Sequence, residues 1–339
     1  MEPASDHLDQ RRRAHEALAE RLAAMSDDQL AALAAETASW RANVHGNQVG
    51  VVDVDGVKVF VKKIALTDLE RGASEGATAN LFDLPLYYHY GVGSSGFGAW
   101  RELSAYLRAS AWTLSGEHQH FPLLHHWRVL PRMPPTFSTR QLDWLERAPD
   151  YWGSDAVGAR LDAIAAASAC IVLFLEHVPE TLHEWLKREL NGGRPDATLE
   201  ATMLRFHDQW RETAAFMNDR GMLHFDLNAS NVLTDGRQIY AADFGLAICA
   251  DFDLSPAERD FFEAHGLYDR CYVPWSFAGW LTLANPPAVT PALSALIDRY
   301  AAVADTFGDF LEAVQKTSKT TPYPATELAA AVAAMLEIP

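Results

Sequence analysis

Gly221-Met-Leu-His-Phe-Asp-Leu-Asn-Ala-Ser-Asn-Val-Leu-Thr234, followed downstream by Asp243-Phe-Gly-Leu-Ala247, is the stretch on which the reading of this chain turns. It sets His224, Asp226 and Asn231 in the spacing His-x-Asp-x4-Asn, and Asp243 comes twelve positions after Asn231. The preceding segment, Leu199 to Arg220, has helical spacing and ends at Gly221, a helix stop. Asp and Asn are common in loops, so either motif alone is weak. Both, in this order and at this interval, are specific.

These two motifs resemble those of the protein-kinase-like superfamily. The resemblance implies that Asp226 orients the attacking hydroxyl and accepts its proton, while Asn231 and Asp243 hold Mg²⁺. Phosphoryl transfer has a loose transition state, so such an enzyme mainly positions groups and neutralises charge on phosphate oxygens, and hard oxygen ligands suit Mg²⁺. The family also requires a Lys on an upstream strand and a Glu on a helix. Val49 to Ile64 holds two β-branched runs around Asp55-Gly56, which predicts an antiparallel hairpin. Val59-Phe-Val-Lys62 ends its second strand, and alternation places Lys62 on the face of Phe60 and Lys63 on the other. Ala99 to Arg108 reads as a helix with Trp100, Leu103 and Leu107 on one face. It carries Glu102, preferred as the partner of Lys62 over Glu75 and Glu117, which sit beside glycines.

Phe121 to Leu130 and Cys170 to Glu176 read as further strands, the latter fully buried. Glu176, before His177-Val178-Pro179, resembles the family's hinge, whose backbone would bond the base of ATP or GTP; Val178 belongs to the same contact. The family's phosphate loop precedes the hairpin turn, and here that place holds only His45 to Gly50, with Gly46 and Gly50 as candidates. Gly91-Val-Gly-Ser-Ser-Gly96-Phe-Gly98 spells Gly-x-Gly-x-x-Gly but follows Lys62 rather than preceding it. It reads as a flexible lead into the Glu102 helix, or as amides reaching phosphates at that helix N-terminus. His118, His120, His125 and His126 have no Cys or carboxylate at ligand spacing and read as a polar strand end rather than a zinc site. Asp251, Asp253 and Glu258 are candidates for holding a cationic acceptor, although a solvated loop reads equally well.

Outward from these motifs, residues 1–42 read as an N-terminal helical extension of one or two helices broken near Ser26-Asp27. Residues 43–178 form a kinase-like smaller lobe with an insertion at about 132–167, and 179–339 an α-helical lobe bearing the catalytic and metal loops. The expected fold is therefore α+β and bilobal: a small antiparallel sheet, an α-rich C-terminal lobe and the extension. Lys and Arg total 28 against 45 Asp and Glu, a net charge of −17, which argues against nucleic acid and anionic membrane as partners. Three separated cysteines support neither a disulfide framework nor a zinc site, and the first residues lack an apolar targeting segment, so a cytoplasmic location is expected.

The residue after His224 is Phe225 rather than the Arg of many protein kinases, Asn228 stands where Ser/Thr kinases carry Lys, and no Ala-Pro-Glu follows Gly245. The chain thus looks nearest to aminoglycoside and antibiotic phosphotransferases and related small-molecule kinases. That likeness implies transfer of the γ-phosphate of ATP or GTP, with Mg²⁺, to a hydroxyl of an antibiotic or other secondary metabolite of aminoglycoside or nucleoside type, for self-resistance or biosynthesis. An atypical Ser/Thr protein kinase and a catalytically silent pseudokinase are the alternatives.

Overall fold

A computed structural model describes residues 4–37, 41–42, 47–91, 93–133, 137–190, 195–283 and 289–337. Helices α1 (Ala4–Ala23) and α2 (Asp27–Ala35) are separated where Ser26 forms a reciprocal cap with Gln29, worth about 1 kcal/mol. The break lies where the sequence places it.

Strands β1 (Arg41–Ala42), β2 (Gln48–Val54), β3 (Val57–Leu66), β4 (Leu124–Pro131) and β5 (Ala169–Glu176) form an antiparallel sheet in the order β1-β2-β3-β5-β4. The β2–β3 turn has positive φ at both Asp55 (52°) and Gly56 (86°), the geometry that matches strand twist in a two-residue hairpin. One sheet face (Val52, Val54, Val59, Val61, Val172, Phe174) packs on Leu18, Leu22, Leu30 and Leu33 of α1 and α2. The expected extension is therefore part of the core on that face of the sheet. The opposite face carries Ile64, Ile171, Leu173 and Leu175 into the main core. Strand β5, buried on both faces, is continuously apolar for that reason.

Between β3 and β4 lie α3 (Asp68–Gly72), a 3₁₀ turn at Leu86–Tyr90 and α4 (Ala99–Ser115). Trp100 and Leu103 of α4 are buried, but Leu107 is 45% exposed. The buried face instead follows Ala105, Tyr106 and Ala109, because α4 packs on the sheet and the helical part together. β4 also begins later than expected, with Phe121 buried ahead of it. The insertion forms α5 (Thr139–Trp152) and α6 (Asp155–Ala166); Ala148, Trp152, Val157 and Leu161 pack on Leu84, Tyr88 and Phe97.

Past Glu176 the chain becomes helical: β6 (Glu180–Thr181), α7 (Leu182–Leu190), α8 (Ala197–Asp219), β7 (Met222–Leu223), β8 (Val232–Thr234), β9 (Ile239–Ala241) and β10 (Ile248–Cys249) precede α9 (Pro256–Ala264), α10 (Tyr268–Leu283), α11 (Pro291–Lys316) and α12 (Ala325–Glu337). The fold is α+β, a small antiparallel sheet followed by a helical C-terminal part. Among the described residues no helix is long and apolar enough to cross a membrane.

Candidate functional site

Residues 224–231 form the loop between β7 and β8, and its shape is imposed from α10. Asp269, fully buried, accepts the backbone N–H of His224 at 2.7 Å and of Phe225 at 3.0 Å, and the Asn218 amide at 2.8 Å. Phe225 is thereby held at φ 63°, a left-handed conformation costly for a bulky side chain, with its ring buried against Tyr268 and Phe261. His224 pairs its Nε2 with the Ala242 carbonyl at 3.0 Å, so Nδ1 accepts the Asp226 N–H. Burial lowers the His224 pKa and keeps the ring neutral, as that tautomer requires. Sequence reading missed Asp269; its only signal is a carboxylate at the start of the apolar helix α10.

The loop presents Asp226 with both carboxylate oxygens engaged. Asn228 Nδ2 donates to Oδ1 at 2.8 Å and Asn231 Nδ2 to Oδ2 at 2.7 Å. Burial, then repulsion from Asp243, pushes the Asp226 carboxyl up to about 7 against the opposing pull of the two carboxamides. Asp243, at φ 63°, receives Lys62 Nζ on Oδ1 at 2.6 Å, and its own N–H is bonded to the Tyr106 hydroxyl. Lys62 also lies 2.5 Å from Glu102 Oε1. Burial by itself would lower the Lys62 pKa, but Asp243 and Glu102 lift it well above normal. Burial raises Glu102, and Lys62 offsets part of that. Burial would also raise Asp243, but the ammonium holds it below its ordinary value.

Two cavities meet at this ion triplet. A cleft of about 560 Å³ runs between sheet and helical part, lined by Gly50, Phe60, Lys62, Glu176, Val178, Asn231 and Asp243. A second chamber of about 270 Å³ is lined by Lys62, Glu102, Asp226, Asn228, Asp243 and the 91–96 loop. Lys62, Asp226, Asn231 and Asp243 thus converge from distant parts of the chain. Asn231 and Asp243 offer hard oxygens: the Asn231 nitrogen is spent on Asp226, which leaves its oxygen, and Asp243 is half exposed with one oxygen on Lys62. That donor pair suits Mg²⁺, which takes one or two protein ligands plus phosphate oxygens and waters. Among the described residues no group of three His, Cys, Asp or Glu is placed to hold a metal.

Other expected residues are placed differently. Gly46 lies outside the described residues. At Gly50 a Cβ would collide with the Thr37 hydroxyl, which itself bonds the Val51 backbone; Thr37 lines the cleft and had no sequence signal. The Glu176 side chain turns back to Arg11, leaving its backbone at the cleft. Asp251, Asp253 and Glu258 line neither cavity. Asp251 pairs with Arg108, Asp253 is bonded through its amide to Thr78, and Glu258 is 2% exposed in an ion pair with Arg101 at 2.6 Å. The four histidines form no common site: His118 and His120 lie ring to ring at 5.1 Å, but His118 bonds Thr213 and His120 the Ile239 carbonyl, while His125 pairs with His15 and His126 with Arg128. No protein-family model matches this chain, and no curated protein matches it, so the functional reading rests on the geometry of Lys62, Glu102, Asp226, Asn231 and Asp243.

Proposed function

We propose that this protein is a cytoplasmic phosphotransferase of bilobal, kinase-like fold, which moves the γ-phosphate of ATP or GTP to a hydroxyl of a small secondary metabolite. The observation that carries the reading is Lys62 Nζ seated between Glu102 and Asp243, at the junction of the large cleft and the chamber holding Asp226.

The cleft would take the nucleotide, with its base against the backbone at Glu176–Val178 and its phosphates at Lys62. Asn231 and Asp243 would hold Mg²⁺, which when bound neutralises charge on the phosphate oxygens. The acceptor hydroxyl approaches from the chamber. Its oxygen bonds to the γ-phosphorus as the bond from that phosphorus to the β–γ bridging oxygen breaks, the bonding pair leaves with the nucleoside diphosphate, and the hydroxyl proton passes to Asp226. The two carboxamides on Asp226 fix which oxygen lone pairs face the acceptor, and its raised pKa makes it a better base than an exposed carboxylate.

Asp226→Asn keeps the volume and the hydrogen-bonding size but removes the base. Transfer should fall by about 10²–10⁴-fold, read as nucleoside diphosphate formed in the presence of mixed hydroxylated metabolites. The Mg-ATP-induced rise in melting temperature should persist. Full activity in this variant would refute the assignment.

A further inference from the structure

The 91–96 loop is the feature that the sequence motif leaves unplaced, and the chamber beside Asp226 gives it a role. Its backbone is held in a left-handed conformation at Gly91, Gly93 and Gly96 (φ 99°, 84° and 75°). At Gly96 a Cβ would strike the Gly245 carbonyl, and at Gly93 it would strike the Trp144 ring of α5. The loop is therefore clamped between the Asp243-Phe-Gly turn and the inserted helices. Three of its amides are already taken. Ser94 N–H bonds the Gly91 carbonyl at 2.7 Å, Ser95 N–H the buried Tyr88 hydroxyl at 2.9 Å, and Gly96 N–H the Ser94 hydroxyl at 3.2 Å. At the start of α4, the Ala99 N–H is taken by Glu70 at 2.7 Å. With the Ser94, Ser95, Gly96 and Ala99 amides occupied, the loop serves the chamber as a wall.

The charge of the chamber is equally specific. Its one lining cation, Lys62, faces two carboxylates and is the group that takes the nucleotide phosphates, so a second phosphate or a carboxylate on an acceptor would find no cation left. Of its carboxylates, Glu102 and Asp243 share Lys62 and the second Asp243 oxygen is the one offered to Mg²⁺, while Asp226, held by two carboxamides, keeps its remaining lone pairs for the acceptor hydroxyl, so a polyamine would have to compete with both. Besides glycines, what remains is neutral: the polar Asn47, Ser94, Ser95, Asn228 and Tyr272, and the apolar Leu246. The volume, about 270 Å³ against about 560 Å³ for the cleft, suits a molecule on the scale of one sugar ring.

We propose that this chamber is the acceptor site, walled by the 91–96 loop, and that it takes a neutral, polyhydroxylated molecule of single-sugar size in preference to a polyamine or a phosphorylated sugar. This rests on the phosphotransferase reading above. Against the expectation of an aminoglycoside acceptor, Asp251, Asp253 and Glu258, the carboxylates expected to hold a polycation, lie elsewhere in the fold.

The test measures ADP formation from Mg-ATP by the full chain with D-glucose, D-ribose and myo-inositol as neutral probes, kanamycin as the polyamine and glucose 6-phosphate as the anion. The best neutral probe should exceed the charged ones in kcat/KM by at least about ten-fold. Ser94→Leu, which fills the chamber, should raise the KM of that probe at least about ten-fold while leaving the Mg-ATP thermal shift unchanged. Tyr272→Phe, a milder change, should raise the same KM without altering the fold. Preference for kanamycin or glucose 6-phosphate overturns the acceptor assignment alone. So does an unchanged KM in both variants. A wild-type chain with no Mg-ATP thermal shift and no ADP formation with any probe overturns the phosphotransferase reading as well.

Discussion

Lys62 meets two carboxylates with one charge, and the three groups cannot be treated separately. Its Nζ is 2.5 Å from Glu102 and 2.6 Å from Asp243, and both Lys62 and Glu102 are nearly inaccessible, at 8% and 5% side-chain exposure. Removing the cation alone leaves Glu102 buried beside a second carboxylate. Lys62→Met should therefore destabilise the chain by about 3–5 kcal/mol, measured by urea unfolding. Adding Glu102→Leu should recover most of that loss, because a buried ion pair replaced by apolar groups of similar volume is often near neutral. A double variant as unstable as the single one would show that the pair is not coupled. At this scale the sequence was informative where alternation or spacing fixes a side chain: Lys62 follows from the period of β3, and Asp226 and Asn231 from their own loop. It was silent where a residue acts across the fold on another backbone. Asp269 holds the loop from α10, and Thr37 holds β2 at the cleft, and neither belongs to a local pattern.

At the scale of elements, α1 is more than a cover for the sheet. The Arg11 guanidinium, 5% exposed, donates to both Glu176 oxygens at 2.8 Å, to the Gln119 carbonyl at 2.7 Å and to the Phe121 carbonyl at 2.6 Å. One helix thus ties the end of β5 to the chain entering β4, next to His177 and Val178 of the cleft. Burial would raise the Glu176 pKa, but Arg11 holds it below the usual carboxylate value, so the pair stabilises above the unfolded Glu pKa and is lost as pH falls through the folded one. Arg11→Met should lower stability by about 3–5 kcal/mol and weaken Mg-ATP binding several-fold, read by calorimetry. Arg11→Lys should retain part of the stability but not the four-bond geometry. Unchanged nucleotide affinity in a folded Arg11→Met chain would limit α1 to a packing role. The helix itself was legible from its leucine spacing and the Ser26 cap. Its tie to Glu176, across most of the sheet-forming sequence, was not, because nothing local marks one arginine among the three of Arg11-Arg12-Arg13.

Across the whole molecule, burial has withdrawn several histidines from water. His118, His120, His125, His207 and His265 are each pushed down to about 4 by burial, and none of their neighbours restores the charge. The folded pKa of each lies below the unfolded value near 6.5, so between about pH 6.5 and 4 the unfolded chain binds protons that the folded chain refuses. Each such group makes stability fall on acidification by up to about 1.4 kcal/mol per pH unit. Asp226, Glu102 and Asp269, raised by burial, act in the opposite sense, because the folded chain retains protons there that the unfolded chain releases. His89 and His224 are lowered by burial as well, so the imidazoles outnumber the raised carboxylates and leave a net loss of stability toward acid. The melting temperature should therefore drop by several degrees between pH 7.5 and pH 5, followed by calorimetry in about 0.5 M salt, which screens the overall charge of −17. His207→Gln should flatten that slope by up to about one proton, since His207 is 2% exposed, bonded through Nε2 to the Tyr300 hydroxyl at 2.7 Å, and lowered by burial despite Asp208 at 3.1 Å from Nδ1. A chain that melts higher at pH 5 than at pH 7.5 would mean that these imidazoles are charged inside the fold, and with them the neutral packing of His120 and His207 would have to be abandoned.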